Sequence, residues 1–370
     1  VTRIAAVHGV LPAHRYGQRE LAGAVAALRP DGNGPGAGSE GGNEGGSEGG
    51  GGRTRALAER FAAGAGVEFR HLAFPVERYP ELEGFGRAND AWLVAAAELA
   101  ERAATGALRE AGLPSERVDF VVSTTVTGVA APSLEARLAP RLGLRADVRR
   151  LPLFGLGCAG GAAGVAAVDG LLAGRPDGAA LLLATELCSL TLQRADTSAA
   201  NLLATALFGD GAGALVAVGD AVDCAGPEVV ATRSRLYPGT ERLLGWEVGD
   251  SGFRILLGAE LPELVSLFVG EEVSSFLAAH DLKPGDVTAW ICHPGGPRVL
   301  DALQSELGLS AAALAPSRAS LARCGNLSSA SVLHILRDVL AADSPPPPGS
   351  YGLMLALGPG FASELVLLRW

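Results

Sequence analysis

The sequence predicts an α/β fold in which one layered helix and sheet unit is built twice from a single chain of 370 residues. Three observations predict it. Apolar strand-like runs alternate with amphipathic helices, which implies mixed sheets packed against helices. The composition, 48% hydrophobic, is enough for one large core or two fused smaller ones. The chain also resembles itself: residues 92–144 and 264–309 each give a long amphipathic helix, a Leu-x-Pro turn, a strand, a glycine-containing loop and a second helix closing on Leu-Gly-Leu.

The elements follow in order. VTRIAAVHGVLP reads as a first strand, with too short an apolar run for a signal peptide. Residues 31–52, DGNGPGAGSEGGNEGGSEGGGG, carry no large apolar side chain to offset the entropy of ordering, so a flexible insertion in an N-terminal helical region is expected. After the first copy of the repeat, RRLPLF is strand-like. Each copy then presents a polar residue after glycine, Gly157-Cys158 and Gly325-Asn326, at the start of a helix of small side chains. A buried strand follows in each (GAALLLATEL, GSYGLMLALG), then an edge partner (DGAGALVAVG, FASELVLLRW). The proline-rich SPPPPGS at 344–350 is a stiff connector. The expected halves are 1–222 and 223–370. A quasi-twofold axis between them would bring the helix N-termini at Cys158 and Asn326 to one centre.

Charge and composition exclude several classes. A formal charge of −10 leaves no basic patch for nucleic acid or an anionic membrane surface. The apolar runs break long before the roughly 18 residues a membrane span needs. Five cysteines (158, 188, 224, 292 and 324), an odd number with no C-x-x-C pair, favour reduced thiols in a cytoplasm over disulfides or a zinc site.

The run FGLGCAGGAAG at 154–164 supports two readings. Gly155, Gly157 and Gly160 match the G-x-G-x-x-G of a dinucleotide turn, with Glu186 ending the next strand where a ribose-binding acid could sit. Against this, the run follows a complete strand–helix–strand unit rather than opening a domain, and its counterpart in the second half lacks the glycines. The other reading makes Cys158 a nucleophile at a helix N-terminus. Alone, Cys158 would be a small core residue, His293 a satisfied histidine and Asn326 a helix cap; jointly, at corresponding points of a repeat, they suit acyl transfer.

Five segments, GLGCAGG, ALFGDGAGAL, WICHPGGPRVLD, RCGNLSSASVL and LALGPGF, in that order resemble the type III polyketide synthases, the chalcone and stilbene synthase superfamily on the thiolase fold. The resemblance covers nearly the whole chain outside the Gly-rich insertion, and TTVTGVAAPSLEARLAPRLGLR and ELCSLTLQ look closer to bacterial members such as alkylresorcinol and alkylpyrone synthases. It implies a duplicated αβαβα sandwich with mixed five-stranded sheets, a homodimer, and no metal or redox cofactor. Cys158 would carry the acyl chain, its thiol lowered by the helix N-terminus and by an imidazolium at His293. His293 and Asn326 would form the oxyanion hole for the malonyl-derived enolate.

The same resemblance makes Phe208 and Phe253 gatekeepers that desolvate the departing carboxylate. It makes Thr191, Gly245 and Ser328 cavity-lining residues, and it places Leu357 and Ala356 where relatives carry Phe and Gly. Arg60 and Arg70 match coenzyme A-binding positions loosely, so the acyl carrier is coenzyme A or an acyl carrier protein. The expected substrates are an acyl-CoA starter, long-chain fatty acyl by the bacterial resemblance, and malonyl-CoA, condensed repeatedly and cyclised to a resorcinol, pyrone or related aromatic. Two rivals stand beside this: a ketoacyl-ACP synthase of the third type, disfavoured by HPGGP where that family has His-Gln-Ala-Asn, and a non-catalytic partner subunit.

Overall fold

The computed structural model describes residues 1–28 and 48–370, without the side chains of 48–51. The Gly-rich insertion expected over 31–52 lies outside the described residues as far as 47. Its last residues, 48–52, belong instead to a helix, because the helix-forming run RTRALAERFAA behind them extends back into the glycines.

The first half contains β1 (Thr2–Val10), β2 (His14–Gly17), α1 (Gln18–Ala27), α2 (Glu48–Gly64), β3 (Phe69–Leu72), α3 (Phe85–Glu110), β4 (Phe120–Thr125), α4 (Leu134–Leu138), β5 (Arg149–Phe154), α5 (Gly160–Leu172), β6 (Ala179–Leu187), α6 (Ala199–Leu207) and β7 (Asp210–Gly219). The second half opens with β8 (Glu228–Leu236) and the hairpin β9 (Leu244–Gly249) and β10 (Gly252–Leu257). A π turn at Val265–Val269 then joins α7 (Leu261–Leu264) to α8 (Gly270–Ala278). The chain ends through β11 (Val287–Cys292), α9 (Pro297–Glu306), α10 (Ala315–Cys324), α11 (Ser331–Leu340), β12 (Tyr351–Gly358) and β13 (Ala362–Arg369).

The repeat is visible in three dimensions. In each half a long helix precedes a strand (β4, β11), a shorter helix follows, a tight turn leads into a central helix (α5, α11), and two antiparallel strands close the unit. The sheet order is β11-β12-β13-β8-β1-β7-β6-β4-β5. The expected mixed five-stranded sheet is met in the first half, while the second falls one strand short. The first half supplies five strands and the second four, and they form one continuous sheet because Thr2 and Arg3 of β1 pair with Val229 and Glu228 of β8. The missing strand is the counterpart of β5. Its place in the chain is taken by α10, whose sequence APSRASLARC combines Pro at the first turn with helix-forming Ala, Leu and Arg.

Both faces of the central strands are buried. Along β6, Ala180, Leu182 and Ala184 enter one core while Leu181, Leu183 and Leu187 enter another, the period-two alternation of a strand covered on both sides. The same division along β12 sends Met354 and Ala356 inward and Leu353, Leu355 and Leu357 outward. The shared inner core contains α5 and α11 between strands of both halves. The outer cores lie under α3 on one side and under α8 and α9 on the other, which gives the expected order of five layers. Among the described residues no helix is long and apolar enough to cross a membrane.

Candidate active site

Two turns meet where α5 and α11 begin. Cys158 lies in a 3-10 turn, Gly157–Ala159, directly before α5; Ser328 opens the matching turn, Ser328–Ala330, directly before α11. The glycines around Cys158 permit this close packing. A Cβ on Gly157 (φ 47°) would lie 2.7 Å from Pro359, and one on Gly160 2.4 Å from Thr124 Oγ1. They bring backbone from the two halves together, and the dinucleotide reading fails on Glu186 as well. That carboxylate is fully buried at the end of β6 and accepts hydrogen bonds from Ser329 Oγ (2.6 Å), Thr127 Oγ1 (2.8 Å), Val126 N (3.1 Å) and Thr125 Oγ1 (3.2 Å).

Asn326 is held by its backbone. Its N–H donates to the Leu207 carbonyl (2.8 Å) and its own carbonyl accepts from Gly209 N (3.0 Å), an isolated parallel bridge that seats Phe208 beside it. Asn326 Oδ1 accepts from Ser328 N at 2.8 Å, which turns the amide N–H2 toward Cys158, and this side chain hydrogen-bonds the sulfur. Ser328 Oγ lies 3.6 Å from Cys158 Sγ. Ser328 sits at φ 49°, a strained value for a residue with a side chain and one that serine holds here beside the Cys158 sulfur.

His293 follows β11 at the same end of the sheet. Its backbone N–H donates to the Leu355 carbonyl of β12 (2.8 Å), and β12 ends at Gly358, where a Cβ would lie 2.6 Å from Ala159 beside Cys158. His293 is buried, and both ring nitrogens lack a hydrogen-bond partner among the described residues.

The electrostatics differ from the expected thiolate–imidazolium pair. Although Cys158 keeps some exposure, desolvation by the surrounding protein pushes its thiol up to about 12. The Ser328 and Asn326 hydrogen bonds pull down and the Glu186 carboxylate pushes up. Burial alone lowers His293 to about 3. Cys158 is a neutral thiol and His293 a neutral imidazole with no hydrogen bond between them, because desolvation disfavours both charged forms more than the contacts of Cys158 favour its thiolate.

The remaining predicted residues divide. Phe253, on β10, is buried against Phe85 (centroids 5.3 Å apart), Trp246 (6.0 Å) and Phe154 (6.4 Å). Gly245, on β9 at φ 153°, faces Pro359, with a built Cβ 3.7 Å away, and Leu357 is buried one residue before Gly358. Thr191 is buried with its hydroxyl donating to the Cys188 carbonyl (2.8 Å). Arg60 is exposed on α2, its guanidinium over the Phe61 ring. Arg70 corrects the sequence reading. It is buried on β3 and donates from Nη1 to the Thr205 and Phe208 carbonyls, so it does not offer a guanidinium to a carrier phosphate at a surface.

Beside Phe208 lies a cavity of about 50 Å³, which Arg70, Tyr79, Cys188 and Ser189 also line. Spacing alone did not show the Ser328–Cys158 contact or the Glu186 hub; the only signals for them were the repeat itself and an acid at the end of an apolar strand.

The pattern of chalcone and stilbene synthases, N-terminal domain, matches residues 77–221, and that of their C-terminal domain matches residues 228–370. The chain belongs to the chalcone and stilbene synthase family. This synthase is 52% identical over 372 residues to a 1,3,6,8-tetrahydroxynaphthalene synthase of Streptomyces peucetius subsp. caesius, covering 100% of this chain and 93% of that protein. It is 34% identical to a putative chalcone synthase of Bacillus subtilis, over 82% of this chain and 86% of that one. The crystal structure of the 1,3,6,8-tetrahydroxynaphthalene synthase of Streptomyces coelicolor, described as a bacterial type III polyketide synthase, superposes with a TM-score of 0.88 at 29% identity, covering 100% of this chain and 99% of that one. The synthase is thus a type III polyketide synthase, an acyltransferase that condenses malonyl-CoA units into aromatic polyketides. The single-condensation ketoacyl-ACP synthase reading is not favoured.

Proposed function

We propose that the synthase builds its aromatic product from malonyl units alone, with Cys158 as the acyl carrier and His293 and Asn326 as the donors that stabilise the enolate. This replaces the long-chain fatty acyl starter expected from the sequence. The observation that carries it is the 52% identity over the whole chain to a synthase of 1,3,6,8-tetrahydroxynaphthalene. In that product each ring bears two oxygens in a 1,3-relation and no alkyl tail remains, the pattern left when malonyl units supply the whole skeleton.

The steps follow from the residues. Cys158 gives its proton to the unpartnered nitrogen of neutral His293 as sulfur attacks the malonyl thioester; the carbon–sulfur bond to coenzyme A breaks, and His293 returns the proton to the departing thiolate. A second malonyl thioester places its carbonyl oxygen between His293 and the Asn326 amide. The bond to the carboxylate breaks, carbon dioxide leaves, and the electron pair becomes an enolate held by those donors. The enolate carbon attacks the Cys158 thioester, a carbon–carbon bond forms, and the Cys158 thiolate is released for reloading. Buried Phe253 and partly buried Phe208 supply the apolar surround that favours loss of the carboxylate.

Coenzyme A is the preferred carrier, with exposed Arg60 its candidate contact and an acyl carrier protein the alternative. The two halves are read as 1–222 and 223–370, working in a cytoplasm without metal or redox cofactor. A homodimer is read from β5, one of the two edges of the sheet, where Leu151 and Phe154 are exposed.

Incubation with malonyl-CoA alone, followed by mass spectrometry, tests the reading. A polyhydroxylated naphthalene, or the quinone that dissolved oxygen makes of it, is expected, and Cys158→Ala should abolish it. Product only when a fatty or aromatic acyl-CoA is added would overturn it.

A further inference from the structure

Arg70 stands out among the buried charges. No Asp or Glu lies within ion-pair distance of it among the described residues, and its Nε is buried without a partner. Burial lowers its pKa to about 10, with Asp210 and Tyr79 opposing. A cation in this position is a poor stabiliser of a fold, since desolvation is not repaid by a bonded carboxylate. What it does hold is specific. Nη1 donates to the carbonyls of Thr205, in α6, and of Phe208 (3.3 Å), which follows it. On its other flank the aliphatic stem packs on the next segment, where a Cβ built on Gly325 would lie 3.2 Å from Arg70 Cγ and 2.7 Å from the Leu207 carbonyl oxygen. Gly325 adopts φ 74° and leads directly into Asn326. Arg70 is therefore wedged between the two strands of chain whose single bridge, Phe208 to Asn326, joins the gatekeeper segment to the oxyanion donor. Asp210 clamps the same segment from its far end, accepting from Ser189 N (2.8 Å) and Ala73 N (2.7 Å).

We propose that Arg70 is a positioning residue for decarboxylation: it fixes the Phe208–Asn326 bridge, and through it the place of the Asn326 amide, without touching substrate. This rests on the reading of Asn326 as an enolate donor. A misplacement of about 1 Å in such a donor costs about 100-fold in rate, whereas substrate binding is not altered by it and the Cys158 thiol loses only one of the two hydrogen bonds that favour its thiolate.

Carbon dioxide release from malonyl-CoA and alkylation of Cys158 by iodoacetamide, measured on Arg70→Met, Arg70→Lys and both in an Asn326→Ala background, test the proposal. Arg70→Met should lower kcat about 10- to 100-fold with KM within about threefold of the parent, while Cys158 alkylation falls no more than a few-fold, the share of the Asn326 contact with the sulfur. Arg70→Lys, which keeps a donor of similar reach, should recover most of the loss. In the Asn326→Ala background the Arg70 changes should add less than about twofold, because the group they position is gone. An unchanged kcat, alkylation falling by the same factor as kcat, or full additivity with Asn326→Ala would overturn the proposal. If Arg70→Met does not fold, the Arg70→Lys cycle decides the matter from its smaller loss. Failure of Asn326→Ala alone to slow carbon dioxide release would instead overturn the underlying assignment of Asn326.

Discussion

The two halves of the molecule act on Cys158 with opposite sign. From its own half, the buried Glu186 carboxylate disfavours the thiolate; from the other half, Ser328 and Asn326 hydrogen-bond the sulfur and favour it. The same place in the repeat thus carries the proposed nucleophile in one copy and, in the other, the side chains that favour its thiolate. Duplication gives more here than a larger core: it lets one turn be specialised against the other across a shared inner layer.

Four perturbations sharpen or break this comparison. Removing the amide of the second turn, Asn326→Ala, should have the largest effect, slowing carbon dioxide release from malonyl-CoA about 10²- to 10³-fold, while Cys158 still accepts an acyl group detectable by intact-protein mass spectrometry. If loading and decarboxylation fell equally, the division of labour between the turns would be wrong. Next comes the seam between them. A Cβ on Gly161 would lie 2.2 Å from the Ser329 carbonyl oxygen, so Gly161→Ala should destabilise by about 1–3 kcal/mol, read as a lower denaturant midpoint at unchanged slope.

The third concerns pH. Burial raises the Glu186 pKa above its ordinary 4.5. A carboxyl with a raised folded-state pKa favours the folded state fully below its unfolded value, and that contribution is lost as pH rises through the folded value. Melting temperatures of the parent and Glu186→Gln should therefore converge or cross in the parent's favour as pH falls from 7 toward 4.5. A difference that does not vary with pH would show Glu186 titrating normally.

The smallest effects should be a matched pair in the rate of Cys158 alkylation at pH 7. Glu186→Gln should raise the rate a few-fold and Ser328→Ala should lower it by a similar factor, because each removes one of the opposed influences on the thiolate. Changes of the same sign in both variants would refute the opposition of the two halves.

Much of the fold was legible in the sequence because it depends on pattern. Apolar runs such as ALLLATEL can only be covered on both faces, and the parallel order of helix, strand and turn in 92–144 and 264–309 marks the duplication. The absent fifth strand of the second half was not legible by analogy. Residues 315–324 follow their own helix propensity, and the repeat gives no warning that this copy has diverged. For the site, the pairing of Gly157-Cys158 with Gly325-Asn326 was readable as equivalent positions. The direction of the Cys158 and His293 shifts was not, since it arises from protein packed around both groups by elements far apart in sequence. Arg70 shows the same limit, for sequence gives a side chain's charge but not its depth.

The pairing of β1 between β7 and β8 has a consequence for how the chain matures. During synthesis the residues of β1 leave the ribosome long before either neighbour exists; one edge stays unsatisfied until β7 is complete at residue 219, and the other until β8 has followed. A strand made well before its partners thus ends at the middle of the finished sheet, so a chain stalled before that point leaves β1 unpaired.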